Sequence, residues 1–176
     1  MAEDKKEPWL NYLALTTVIF AVCATLSTFK GGGFSTRSVM SQSQASDQWA
    51  YYQAKSIKSY MYQMQKENLE LRLLDLPKGS DKAHNYQEKI ADYGKKIEKY
   101  EQEKTEIQDK AKGLESVRDE AQKHSKAFGM AIIFLQISIL LSSIAGLLKK
   151  KPVWYVGMAT GVVGLFFFVD GFFLIM

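Results

Sequence analysis

Three apolar blocks constrain this chain before anything else does. Residues 9–28, 128–148 and 153–176 hold a single charged side chain between them, Asp170. Each block is about 20 residues or more, the length that crosses a ~30 Å hydrocarbon layer at ~1.5 Å rise per residue. A soluble domain would interrupt such runs with charge. The chain therefore reads as an all-α membrane protein with three transmembrane helices, and the lipid bilayer as its first partner.

The segment between the first and second blocks carries a different pattern. Tyr86, Tyr93, Tyr100, Ile107, Leu114, Ala121 and Phe128 recur every seven residues. Ile90, Ile97 and Ala111 form a second series, with Lys104, Arg118 and Ser125 in its remaining slots. The gaps alternate four and three, so both series share one helical stripe. Almost every residue between them is Lys, Glu, Asp or Gln. No stop signal precedes the second block beyond Gly129, so this helix is expected to run unbroken into the second span.

A helix over about residues 46–75 precedes it, with Ser46 or Asp47 as N-cap. Its stripe is Ala50, Ala54, Ile57, Met61, Met64, Asn68 and Leu71. The run Leu76-Pro77-Lys78-Gly79-Ser80-Asp81 ends it, because Pro removes a donor and Gly permits a turn. Ser80 or Asp81 would cap the next helix. Residues 29–76 and 80–127 are equal in length, and both run between membrane and turn. That predicts a long extramembrane antiparallel coiled-coil hairpin between spans 1 and 2, with arms of about 70 Å. Folding the chain about residue 78 sets Ala50 against Ile107, Ile57 against Tyr100, Met64 against Tyr93 and Leu71 against Tyr86, with Met61 beside Ile97. Ala54 then falls opposite Lys104. The expected seam is Ile57, Met61, Met64 and Leu71 on the first arm, with Tyr86, Tyr93, Ile97, Tyr100 and Ile107 on the second.

The resulting order is a short charged N-terminus (1–8), span 1 (9–28), a joint (29–37), the hairpin (38–127, turn at 76–81), span 2 (128–148), a lysine-rich turn (149–152) and span 3 (153–176). Gly31-Gly32-Gly33 makes the joint, since three glycines cost backbone entropy in a helix. The first apolar run exceeds the 7–15 residues of a typical signal core, which favours an uncleaved anchor. Lys5, Lys6 and Lys149–Lys151 fall on one side of a three-span chain. The positive-inside bias puts them in the cytoplasm and the stalk in the periplasm.

Trp49, Tyr52 and Tyr60 lie off the expected seam. Aromatic surface left over on a thin stalk points to a subunit contact, hence a homo-oligomer, or to an unidentified protein partner. Asp170 is costly inside a span and calls for a partner. Lys30 is the first candidate, through its long stem, and Lys126 the second.

Catalytic chemistry has little to stand on. His84 and His124 sit at opposite ends of one helix, and Cys23 lies within a span. There is no Walker loop, dinucleotide-binding glycine pattern or nucleophile elbow. The expectation is a chain that is not an enzyme and carries no cofactor and no metal. Residues 30–127 hold 18 Lys and Arg against 15 Asp and Glu. That is a solvated surface and not a nucleic-acid site. A structural or scaffolding role follows, a membrane-anchored stalk that binds itself. The alternative is a subunit of a small ion channel or transporter with Asp170 in its pathway.

The run Lys30-Gly31-Gly32-Gly33 and the stretch Ser46-Asp47-Gln48-Trp49-Ala50-Tyr51-Tyr52-Gln53-Ala54-Lys55-Ser56 together resemble a widespread bacterial family of small membrane proteins, known as a domain of unknown function. The resemblance covers nearly the whole chain. It implies a bacterial inner-membrane protein and supplies no activity or ligand.

Overall fold

The computed structural model describes residues 8–77 and 79–175. It is all-helical, with no strand among the described residues. Helix α1 spans Pro8–Leu74, α2 spans Asp81–Leu148 and α3 spans Lys151–Phe173. All three contain segments long and apolar enough to cross a membrane.

The expected joint at 29–37 is helical, since α1 continues through Gly31, Gly32 and Gly33. The reason is packing. A Cβ on Gly31 would lie 3.0 Å from the Phe128 Cβ, so the glycine marks a close approach of α1 to α2. Tertiary contact here overrides the helix-breaking tendency. The second arm continues into the second apolar segment as one helix, as its pattern predicts.

Two compact units divide the chain, residues 1–40 with 117–176 and residues 41–116. In the first, Phe20, Ala24, Ala131 and Leu135 form a buried centre, with Cys23, Ile139, Met158, Leu165, Phe167 and Phe168 packed against it. Helix α3 turns a face of Gly157, Gly161 and Gly164 inward. A Cβ at Gly161 would overlap the Phe20 ring, and one at Gly164 would lie 2.8 Å from Leu135 Cγ. Small residues let the helices approach this closely. Ser138 Oγ donates to the Gly157 carbonyl at 2.6 Å across the same contact. Lys149 takes a left-handed conformation (φ 50) between α2 and α3, and the Lys150 N–H returns to the Ala145 carbonyl. Pro152 then opens α3, where its missing N–H costs nothing.

The second unit is an antiparallel pair of helical arms. Gly79 supplies the positive φ (+86) that the turn needs. Ser80 is the cap of α2, its Oγ accepting from the Ala83 N–H at 3.2 Å. Ile107 and Ala111 are buried, and Tyr86, Tyr93, Ile97 and Tyr100 are half-buried.

The first arm departs from expectation. Ile57, Met61, Met64 and Leu71 are exposed, at 55–70% of their full surface. The face turned to the second arm is instead Ala45, Tyr52, Lys55, Ser59, Tyr62 and Leu69. These also recur with gaps of three, four and seven. Relative to the expected seam, the first arm is rotated about its own axis. Tyr52, and not Ala54, meets Lys104, whose ammonium sits 5.4 Å from the ring centroid. The physical reason is that Tyr and Lys bury apolar bodies while keeping their polar ends bonded, so a polar stripe can serve as a seam.

Candidate functional site

Within the first unit, aromatic and polar groups gather where α3 ends. Phe128 is fully buried and holds the cluster together. Its ring lies 5.1 Å from Phe172 and 6.4 Å from Phe168, both edge-on, and 6.0 Å from Phe34. Phe34 also stacks on His124 at 4.3 Å, nearly parallel. A Cβ at Gly171 would approach the Phe128 ring to 2.8 Å, so only glycine fits there.

The polar side of the cluster satisfies the end of α3. His124 Nδ1 lies 2.8 Å from the Gly171 carbonyl oxygen. A carbonyl only accepts, so Nδ1 carries the proton in this contact. Asp170 is buried at 5% exposure, and its Oδ1 accepts from the Ile175 N–H at 2.7 Å. The Leu174 N–H returns to the Asp170 carbonyl, also at 2.7 Å, with Leu174 in a left-handed cap. Ser125 Oγ donates to the Gly31 carbonyl at 3.3 Å. His124 thus serves a carbonyl that the end of α3 leaves open, and Asp170 holds the backbone just beyond it. Lys30 and Lys126 are exposed. His124 has a legible position, one helical turn before Phe128 on α2. Its link to Gly171 spans 47 residues, and no local pattern announces it.

These contacts span almost the full chain, from Gly31 to Ile175, and a single family covers the same length. Residues 9–174 match the family described as Domain of unknown function (DUF4337). The chain belongs to that family. No curated protein and no solved structure matches it.

In this DUF4337 chain the second unit holds the other expected site residues. Trp49 and Tyr52 are half-buried in the hairpin, Trp49 donating from Nε1 to Glu115 Oε1 at 2.9 Å and lying 5.6 Å from Tyr52. They face the second arm, so of the expected subunit contact only Tyr60 stays exposed. Tyr62, which lies off the expected seam, sits against Tyr93 at 5.5 Å and Tyr100 at 5.8 Å. Lys96 lies 5.2 Å from its ring centroid.

Ionic bonds complete the seam. Lys55 pairs with Glu103 at 2.5 Å. Ser59 Oγ donates to Glu101 Oε1 at 2.8 Å, and Lys104 bonds the same carboxylate. The Lys104 bond, then the Ser59 bond, hold Glu101 below the usual carboxylate range. The Lys55 bond does the same for Glu103, and Glu103 in turn raises Lys55. Glu101 likewise raises Lys104. The Lys55–Glu103 pair and the Ser59–Glu101 bond cross between the arms, while the Lys104–Glu101 bond lies within the second arm. Among the described residues no cluster of three or more His, Cys, Asp or Glu is placed to hold a metal.

Proposed function

We propose that this chain is a membrane-anchored scaffold. It crosses the membrane three times, presents an antiparallel coiled-coil stalk and associates with further copies of itself. One observation carries the reading: α1 and α2 each join a membrane-length apolar segment to a long polar arm within one unbroken helix. Between the arms Lys55 pairs with Glu103, Trp49 donates to Glu115, Ser59 donates to Glu101 and Tyr62 packs against Tyr93 and Tyr100, which supports a structural use over a chemical one. The charge bias of Lys149, Lys150 and Lys151 supports a cytoplasmic turn and a stalk on the opposite side, the periplasm of a bacterial inner membrane. A cysteine at exposed Gln87, in a Cys23→Ser background, tests this. Labelling by an impermeant maleimide from the periplasmic side is expected, and labelling only from the cytoplasmic side would reverse the topology.

The rival reading, a channel subunit, draws on the buried carboxylate of Asp170. Its bond to the Ile175 N–H favours a capping role instead. Proteoliposomes holding the chain are expected to show no ion flux. A flux that Asp170→Asn abolishes, with stability intact, would replace the scaffold reading with the channel.

A further inference from the structure

The more apolar stripe of the first arm faces away from its own hairpin. Ala50, Ala54, Ile57, Met61, Met64, Asn68 and Leu71 are all exposed, while Lys55, Ser59 and Tyr62 between them are covered by α2. A monomer leaves these side chains in water at a cost. The stripe keeps strict gaps of four and three over three turns of the heptad. Taking Ala54, Met61 and Asn68 as a positions makes Ala50, Ile57, Met64 and Leu71 the d positions. The geometry points to a second copy of this chain on this face, through a parallel α1–α1 coiled coil related by a two-fold axis.

Three features select that occupant, and the inference rests on the self-association proposed above. First, α1 carries its membrane-length segment in its N-terminal part. Two copies inserted with the same topology therefore run parallel. Second, a parallel pair sets each g residue beside the e residue five positions on in the other copy. Here those pairs are Gln53 with Lys58, Tyr60 with Gln65 and Glu67 with Arg72. None opposes like charges, and Glu67 with Arg72 is an ion pair. Both are exposed, and among the described residues neither has an ion-pair partner in its own chain. Third, Asn68 falls on an a position, where two asparagines facing each other across the axis bond in one register and mark a two-stranded parallel pair. Exposed Tyr60 flanks this seam, which gives it the contact that Trp49 and Tyr52 do not make.

Full-length chain in liposomes, with Cys23→Ser and one new cysteine at a time, tests the pairing. Oxidation of Met61→Cys and of Met64→Cys should each give disulfide-linked dimers, because a meets a and d meets d across the axis. Ser59→Cys, covered by the second arm, should give none. Glu67→Arg should cut the Met61→Cys dimer yield several-fold, and adding Arg72→Glu should restore it. A double variant as weak as the single one would overturn the assigned register. If Met61→Cys and Met64→Cys give no dimers while native mass spectrometry still finds several chains together, this face is wrong and the scaffold reading stands on another surface. A lone chain under the same conditions removes both. Dimers from Ser59→Cys alone would place the contact on the opposite face and reject the inference.

Discussion

A methyl group at Gly161 would overlap the Phe20 ring, whereas one at Gly32 meets nothing within 4 Å. The two glycines thus predict opposite outcomes. Gly161→Ala should lower the denaturation midpoint in detergent, by the ~1–3 kcal/mol of an overpacked core. Gly32→Ala should raise it by ~0.5–1 kcal/mol, the usual gain of Ala over Gly within a helix. A fall at Gly32→Ala would restore the joint that α1 does not show. His124→Ala should cost ~1–3 kcal/mol, since it leaves the Gly171 carbonyl without its donor. The seam carboxylates set a pH dependence. Glu101 and Glu103 are held below their ordinary value of 4.5, so the stability they confer is present above it and lost as pH falls through their lowered values. Lys55 and Lys104 are raised above 10.5, and their share is lost only as pH rises beyond that. Melting followed by helical circular dichroism should show a plateau between these limits and an acid decline. Ser59→Ala should move that decline toward higher pH by removing one bond to Glu101.

The elements show where the pattern spoke clearly and where it spoke twice. On α2 one stripe carries nearly all the apolar residues of the arm, and Ile107 and Ala111 are buried on it. On the first arm two stripes share the same spacing. One holds Ile57, Met61, Met64 and Leu71, and the other holds Tyr52, Lys55, Ser59 and Tyr62. Ranking by hydrophobicity selects the first as the seam, but the second can answer the carboxylates and tyrosines of α2 with bonds and ring contacts. Periodicity locates a face; only partner chemistry says what covers it. The turn was legible because Pro77, Gly79 and Ser80 each have one use there. The end of α3 was not, because His124 and Gly171 stand 47 residues apart and are brought together by packing alone. Substitutions on the two stripes should separate accordingly. Tyr62→Ala should destabilise the hairpin by ~1–3 kcal/mol through lost ring contacts with Tyr93 and Tyr100. Met61→Ala should leave hairpin melting unchanged in detergent at dilutions where the chain is single, since self-association would otherwise add its own loss. Equal losses would mean that both stripes pack within one chain.

At the scale of the whole molecule, two arms can be stabilised by their own seam and still leave α1 with an apolar face that water does not favour. The proposed self-associating membrane scaffold uses both faces of α1. The mass of the full-length chain released from lipid nanodiscs, read by native mass spectrometry across a dilution series, tests this most directly. The account predicts assemblies of two or a multiple of two chains that persist on dilution and fall apart when Ile57 and Met64 are both replaced by Asp. A lone chain at every concentration, unchanged by those substitutions, would contradict it.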